Sequence, residues 1–236
     1  MTGRWAIVVT ATVALVAAAC TGPVSSEPKP PTTSADAPVT LFLGDSYTEG
    51  TELAAADEDA RWSTVLAERQ GWVEVNAGCT GSGYTRRGGV CDNNYVERLA
   101  SLSDVDPDII IVSGGVNDLS ATQQLIDTRV RETFAALRET FPEARIYAVN
   151  GIYYTGLMTP SLLAHLNESV SHAATQAGGT YLDIGDPLLG HPELMADDGI
   201  HPNPTGHALI ADLTQSAFER VGAFESAPSA NSRPTT

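Results

Sequence analysis

The chain has 236 residues, of which 42% are hydrophobic and 18% are charged, so it is long enough and apolar enough to fold around a hydrophobic core. Its charge balance is acidic, with 13 Lys and Arg against 29 Asp and Glu and a formal net charge of −16. Such a surface repels phosphate backbones, and no cluster of Lys or Arg offsets it. Nucleic acid is therefore excluded as an expected partner.

The N-terminus has the pattern of an export signal. Arg4 precedes an almost unbroken apolar run over residues 6–19, which is shorter than the roughly 20 residues that a membrane-spanning helix needs. Three alanines stand directly before Cys20, an arrangement similar to the cleavage site of bacterial lipoproteins, whose cysteine becomes the lipidated N-terminus. We expect residues 1–20 to be a signal peptide ending at a lipidated Cys20, which would anchor the protein to the outer face of the membrane. Cleavage at an ordinary small-residue site, followed by secretion, is the alternative.

The segments on either side of the domain have a different composition from the domain itself. Residues 21–38 are rich in Pro, Ser and Thr and poor in apolar side chains, so they are predicted to be an extended tether. Residues 225–236 have a similar composition and are predicted to be a disordered tail. One domain is expected over residues 39–224, and we expect the protein to be a monomer.

The domain alternates short strand-like runs with helical patterns. Buried strands are predicted at residues 39–43, 73–77, 108–112, 145–150 and 180–184. Apolar residues at helical spacing follow in three stripes, Ile126-Val130-Phe134-Leu137-Phe141, Leu163-Leu166-Val170-Ala173-Ala177 and Ile210-Leu213-Ala217-Val221. Apolar strands separated by amphipathic helices predict a three-layer α/β/α sandwich with a central parallel sheet of about five strands.

Polar and glycine-containing segments follow the first three predicted strands. Ser46 comes directly after the first strand, two glycines (Gly78 and Gly81) after the second, and Asn117 after the third. Because ligands bind beyond the carboxyl ends of the strands in such sheets, these residues are expected near one site. Each segment alone has a simpler interpretation, as a helix cap or a tight turn.

A carboxylate and a histidine stand three residues apart before the last predicted helix. In one turn, Asp198 can reach the Nδ1 atom of His201 and hold the tautomer in which Nε2 accepts a proton. A metal site formed by Asp197, Asp198, His201 and His207 is disfavoured, because glycine and proline residues break any regular ligand-bearing helix between them.

Together these segments resemble the GDSL/SGNH hydrolase family, whose fold is flavodoxin-like. The resemblance extends from Gly44 to about Gly206 and rests on Gly-Asp-Ser at Ser46, Gly-x-Asn-Asp at Asn117 and Asp-x-x-His-Pro at His201. It implies a serine esterase with Ser46 as nucleophile, His201 as general base and Asp198 as the residue that orients the base. The implied oxyanion donors are the Ser46 N–H, the Gly81 N–H and the Asn117 side chain.

The substrate and the remaining site residues are less specified. The resemblance implies a small-molecule or glycan ester as substrate, with no metal or organic cofactor, and the export signal suggests O-acyl groups on envelope carbohydrate. Tyr153 and Tyr154 follow the fourth predicted strand and are candidates for the substrate pocket. An acyltransferase using the same triad and a non-catalytic cell-wall-binding module are the alternatives.

Two cysteines remain if Cys20 carries the lipid. An exported protein permits a disulfide, so Cys79 and Cys91 are expected to form one, which would close a short glycine-rich loop. Two free thiols are the alternative.

Overall fold

A computed structural model describes residues 37–152 and 160–223. Five strands form one parallel sheet in the order β2-β1-β3-β4-β5. Their bounds are Val39–Gly44 (β1), Val73–Gly78 (β2), Ile109–Val112 (β3), Arg145–Val149 (β4) and Thr180–Leu182 (β5). The prediction of a parallel five-stranded sheet is confirmed.

Six α-helices lie between and after the strands in the described part of the chain. They are Ser46–Glu49 (α1), Trp62–Gln70 (α2), Tyr95–Arg98 (α3), Gln123–Thr140 (α4), Pro160–Gln176 (α5) and Pro204–Arg220 (α6), with 3₁₀ turns at Ala55–Ala60, Leu99–Leu102, Val116–Asp118 and Pro192–Leu194. The three apolar stripes correspond to α4, α5 and α6. None of the helices within residues 37–152 and 160–223 has the length and apolar character required to cross a bilayer.

The sheet is covered on both faces, as the apolar strands predict. Alternate residues of a strand point to opposite faces, so Ile110 and Val112 pack with α3, α4 and α5. Ile109 and Ile111 pack on the other face with α1, α2 and α6. The three-layer α/β/α sandwich is therefore confirmed.

Helix α2 is not among the predicted helices. It is nine residues long, and its buried apolar side chains are only Trp62, Leu66 and Ala67, which is too few to form a stripe in the sequence. Trp62 lies in the core, 1% exposed, and its ring meets Phe42 edge to face at 5.4 Å. Packing of these few side chains against the core therefore stabilises a helix that the sequence pattern does not predict.

The strand order sets the position of the site. The chain passes from β1 to β2 on one side and then returns to β3 on the other, which opens a crevice at the carboxyl ends of β1 and β3. Strand register keeps these ends level, because Gly44 pairs with Gly78 and Leu43 pairs with Val112. The segments that follow the first three strands therefore leave the sheet side by side, at the carboxyl ends of the strands.

Candidate active site

Ser46 lies at a sharp turn from strand to helix. It is the first residue of α1, and the side chain of Asp45 caps this helix by accepting a hydrogen bond from the Tyr47 N–H at 3.1 Å. The Ser46 N–H donates to no residue in the described part of the chain. Ser46 is 8% exposed, so the residue is largely buried, and among the described residues its backbone N–H is an unpaired donor beside its hydroxyl.

The predicted bond between Asp198 and His201 is present. One carboxylate oxygen of Asp198 lies 2.5 Å from His201 Nδ1, and the other accepts from the backbone N–H groups of Ile200 at 2.9 Å and His201 at 3.0 Å. Partial burial acts to raise the pKa of Asp198, but these hydrogen bonds and the His201 ring outweigh it and lower the pKa below its usual value. With Nδ1 bound to a carboxylate, Nε2 is the ring atom left to accept a proton.

The loop that carries His201 is braced at its base. Asn203 caps α6 by accepting from the Gly206 N–H, and its amide donates back to the carbonyl oxygens of Glu193 and Met195. A backbone bridge between Met195 and Pro202 closes the loop. The Asp198–His201 pair therefore lies at the tip of a closed loop whose ends are tied together by hydrogen bonds.

Tyr47 attaches this loop to the nucleophile turn. Its hydroxyl donates to the carbonyl oxygen of Ile200 at 2.6 Å, and its ring meets the His201 ring at an interplanar angle of 64° with the centroids 6.1 Å apart. Because Tyr47 directly follows Ser46, the imidazole from the far end of the chain lies against the turn that bears the serine. The sequence analysis assigned no role to Tyr47. Its position as an aromatic residue directly after Ser46 was the one feature that could have suggested a role in the site.

The glycines that follow β2 differ in what their N–H groups do. The Gly78 N–H donates to Asn76 Oδ1 at 2.8 Å, so it is already used. The Gly81 N–H donates to no residue in the described ranges, and Gly81 has a φ of +74°, a conformation that favours glycine. Asn117 Nδ2 donates to the carbonyl oxygen of Ser82 at 2.9 Å, which brings the third polar segment against the second.

Asp118 organises the turn that follows this loop. Its buried carboxylate accepts from the backbone N–H groups of Tyr84, Thr85 and Arg86 and from the Thr85 hydroxyl, at 2.7–3.0 Å. Burial nevertheless raises the pKa of Asp118, although these bonds act in the opposite direction. The sequence indicated only a possible turn or cap at this residue, because none of its partners is near it along the chain.

The predicted disulfide is present, whereas other predicted positions lie outside the described residues. Cys79 and Cys91 are bonded and close the loop between them. Tyr153, Tyr154 and Cys20 fall outside residues 37–152 and 160–223. In these ranges no group of three or more His, Cys, Asp or Glu side chains is placed to hold a metal ion.

A second buried carboxyl lies directly beside the serine. Asp45 is 2% exposed and lines a cavity together with Tyr47, Trp62, Ser113, Gly114, Val116, Val149, Asn150, Ile152 and Ile210. A side chain at Gly114 would place its Cβ 2.2 Å from Asp45 Oδ2, so the close approach requires glycine. Burial raises the pKa of Asp45 from 3.8 to about 6, against the Tyr47 and Gly115 N–H groups that act to lower it.

This shift predicts how stability depends on pH. An acid whose pKa is raised in the folded state binds its proton more tightly there, so its contribution to the free energy of unfolding falls as pH rises from 3.8 to about 6. This rise in the pKa of Asp45 corresponds to about 3 kcal/mol. Denaturant unfolding of wild type and Asp45→Asn should therefore give a difference in unfolding free energy that falls by roughly that amount between pH 4 and pH 7.

Subtracting the variant cancels the contribution of ionisable groups that do not interact with Asp45. The amide of the Asp45→Asn variant has one acceptor oxygen, so it cannot accept from both the Tyr47 and the Gly115 N–H groups. The lost bond changes the free energy of unfolding by an amount that does not depend on pH. A difference that stays flat across the range would show that Asp45 is not the buried acid described here.

Comparison with known proteins identifies the family. The model of the GDSL-like lipase/acylhydrolase family matches residues 42–209. The chain belongs to this family. A GDSL lipase of Mycobacterium tuberculosis is 28% identical over 183 residues, which covers 72% of this chain and 77% of the relative. As a GDSL-family protein, the chain is an ester-hydrolysing serine hydrolase.

Solved structures of GDSL-type and other esterases share its fold. The psychrotrophic esterase EstA of a Pseudoalteromonas species superposes with a TM-score of 0.62 at 18% identity, covering 78% of this chain and 98% of that one. A family two carbohydrate esterase of Clostridium thermocellum, solved with cellohexaose, gives a TM-score of 0.62 at 19% identity, covering 78% of this chain and 65% of that one. At these identities the likeness concerns the fold alone.

Proposed function

We propose that Ser46 is the nucleophile of an esterase, with His201 as general base and Asp198 as the residue that orients it. The observation that carries the proposal is the 2.5 Å bond from Asp198 to His201 Nδ1, on a loop that Tyr47 attaches to the nucleophile turn. This bond leaves Nε2 to take the Ser46 proton as the hydroxyl attacks the ester carbonyl. His201 then returns the proton to the leaving alcohol, and water releases the acid from the acyl-enzyme.

The oxyanion formed in each step needs donors that are already in place. The Ser46 and Gly81 N–H groups donate to no described residue, and the Asn117 amide has a second N–H beside the one that Ser82 accepts. We therefore assign the oxyanion hole to these three donors. Gly78 is the disfavoured alternative to Gly81, because Asn76 already accepts its N–H.

The proposed substrate is a short acyl or O-acetyl ester on carbohydrate of the cell envelope. The support comes from the predicted export signal, the expected lipid on Cys20 and the predicted tether, which together would hold the domain outside the membrane. A carbohydrate esterase among the structural neighbours is consistent with this choice. The name of the mycobacterial relative, a lipase, points instead to longer acyl chains.

A chain-length series decides between these two substrate classes. With p-nitrophenyl esters from acetate to palmitate, kcat/KM should be highest at the short end, and acetylated xylan or peptidoglycan should release acetate. An optimum at long chains, with no acetate released from either polymer, would contradict the carbohydrate proposal. The Ser46→Ala variant provides the blank for these assays.

A separate assay tests the alternative of an acyltransferase. If an added acceptor alcohol takes up the acyl group in place of water, the enzyme is a transferase.

A further inference from the structure

Arg98 is a buried cation at the base of the proposed site. It ends α3 and is 6% exposed, and it takes part in no ion pair between described residues. Burial lowers the pKa of its guanidinium, while the nearby Tyr95, Asp45 and Glu49 act to raise it. A buried charge is costly unless its donors are satisfied, so its hydrogen bonds should show why it is kept.

The guanidinium joins three separate segments of the chain. Nη1 donates to the carbonyl oxygens of Gly44 at 2.8 Å and Ala77 at 2.5 Å, at the ends of β1 and β2. Nη2 donates to the Ser82 hydroxyl at 2.7 Å, and Nε donates to Asn93 Oδ1 at 2.9 Å. One rigid planar group therefore holds the ends of two strands and the loop beyond the second strand in a fixed relation.

Two of these acceptors are close in sequence to proposed oxyanion donors. Gly44 precedes Ser46 by two residues, and Ser82 directly follows Gly81. The hydroxyl of Ser82 also donates to the carbonyl oxygen of Cys79 at 2.7 Å, which closes the turn that contains Gly81. The guanidinium therefore links the segment that carries Ser46 to the turn that contains Gly81, beside the direct bond from the Cys79 N–H to the Gly44 carbonyl oxygen at 3.1 Å.

Other contacts hold the same loop at other atoms. Glu49 accepts from the Thr80 N–H at an exposed position, and Asn117 donates to the Ser82 carbonyl oxygen. The disulfide ties Cys79 to Cys91 within the loop. The bonds of Arg98 to Gly44 and Ser82 are buried and reach the strand that leads to the nucleophile, so water cannot replace them readily.

We propose that Arg98 is a positioning residue of the oxyanion hole, which fixes the Gly81 N–H relative to the Ser46 N–H. The inference rests on the proposed function of these donors. Since a displacement of about 1 Å can cost about a hundredfold in rate, loss of this brace should lower turnover more than it lowers substrate binding.

The test uses the purified full-length enzyme with p-nitrophenyl acetate, and turnover is expressed per active site titrated with a fluorophosphonate. Arg98→Met should lower kcat by about tenfold to a hundredfold, while KM changes by less than about twofold. Arg98→Lys should recover only part of the loss, because an ammonium keeps the positive charge but is not a planar fork. Ser82→Ala, which removes the hydroxyl that accepts from Arg98 and donates to the Cys79 carbonyl oxygen, should cause a smaller loss because the other bonds of Arg98 remain. Arg129→Met, at an exposed ion pair on α4, is the matched control and should leave kcat unchanged.

A purely structural role for Arg98 predicts a lower melting temperature and fewer active sites that react with the fluorophosphonate, with normal turnover at each of those sites. Normal turnover per site in Arg98→Met would therefore overturn the inference. If that variant does not fold, normal turnover in both Arg98→Lys and Ser82→Ala overturns it equally. Failure of the proposed function looks different, because Ser46→Ala would then still hydrolyse the ester.

Discussion

Ser46→Ala is expected to lower kcat for p-nitrophenyl acetate by about 10⁶-fold, to the level of residual catalysis by binding and the oxyanion donors. The variant removes the hydroxyl proposed to form the acyl-enzyme, while its backbone N–H and the cap from Asp45 remain. The fold should be retained, since the side chain lost is small. Steady-state kinetics beside a thermal unfolding curve measures both quantities.

The matched control for this prediction is another serine in the same domain. Ser216 on α6 donates its hydroxyl to the carbonyl oxygen of Asp212 within the helix, outside the segments that form the site. Ser216→Ala should keep full activity. If Ser46→Ala retained more than a small fraction of wild-type kcat, the nucleophile would have to be a different residue.

Asn117→Ala is expected to lower kcat by about 10²–10³-fold, or about 2.7–4 kcal/mol of transition-state stabilisation. The amide is proposed to donate one N–H to the oxyanion, and it also holds the loop by donating to the Ser82 carbonyl oxygen. The bond to the oxyanion is made only in the transition state, so KM should change little. Measuring kcat and KM separately for the folded variant tests this expectation.

An amide outside the site supplies the control for Asn117. Gln215 on α6 donates a side-chain hydrogen bond to Glu219 within the same helix, and Gln215→Ala should behave as wild type. Unchanged turnover in Asn117→Ala would remove Asn117 from the oxyanion hole and would leave its bond to Ser82 as its only role.

The sheet and the positions of the polar segments could be predicted because they depend on local patterns. A run such as Ile109–Val112 is apolar at every residue, which is how a strand buried on both faces appears in sequence. The placement of Ser46 and Asn117 followed from one general rule about where parallel sheets bind ligands. Asp198 and His201 are three residues apart, so their bond also depends on local geometry.

The residues that were missed act through contacts that no local pattern encodes. Tyr47 donates to a carbonyl oxygen 153 positions away, and Asp118 accepts from N–H groups more than 30 positions away. Arg98 donates to carbonyl oxygens of two strands. Every residue carries a backbone N–H or carbonyl group, so side-chain identity does not reveal which of them will be partners. Only the folded chain brings these groups together.

The most direct test of the account is to find where a fluorophosphonate attaches. The reagent should label the full-length protein at a single site, and peptide mass spectrometry should place the adduct on Ser46. His201→Ala should be labelled far more slowly, because the base that activates the hydroxyl is gone. An adduct on another residue, or equally fast labelling without His201, would contradict the assignment of Ser46 as a nucleophile activated by His201.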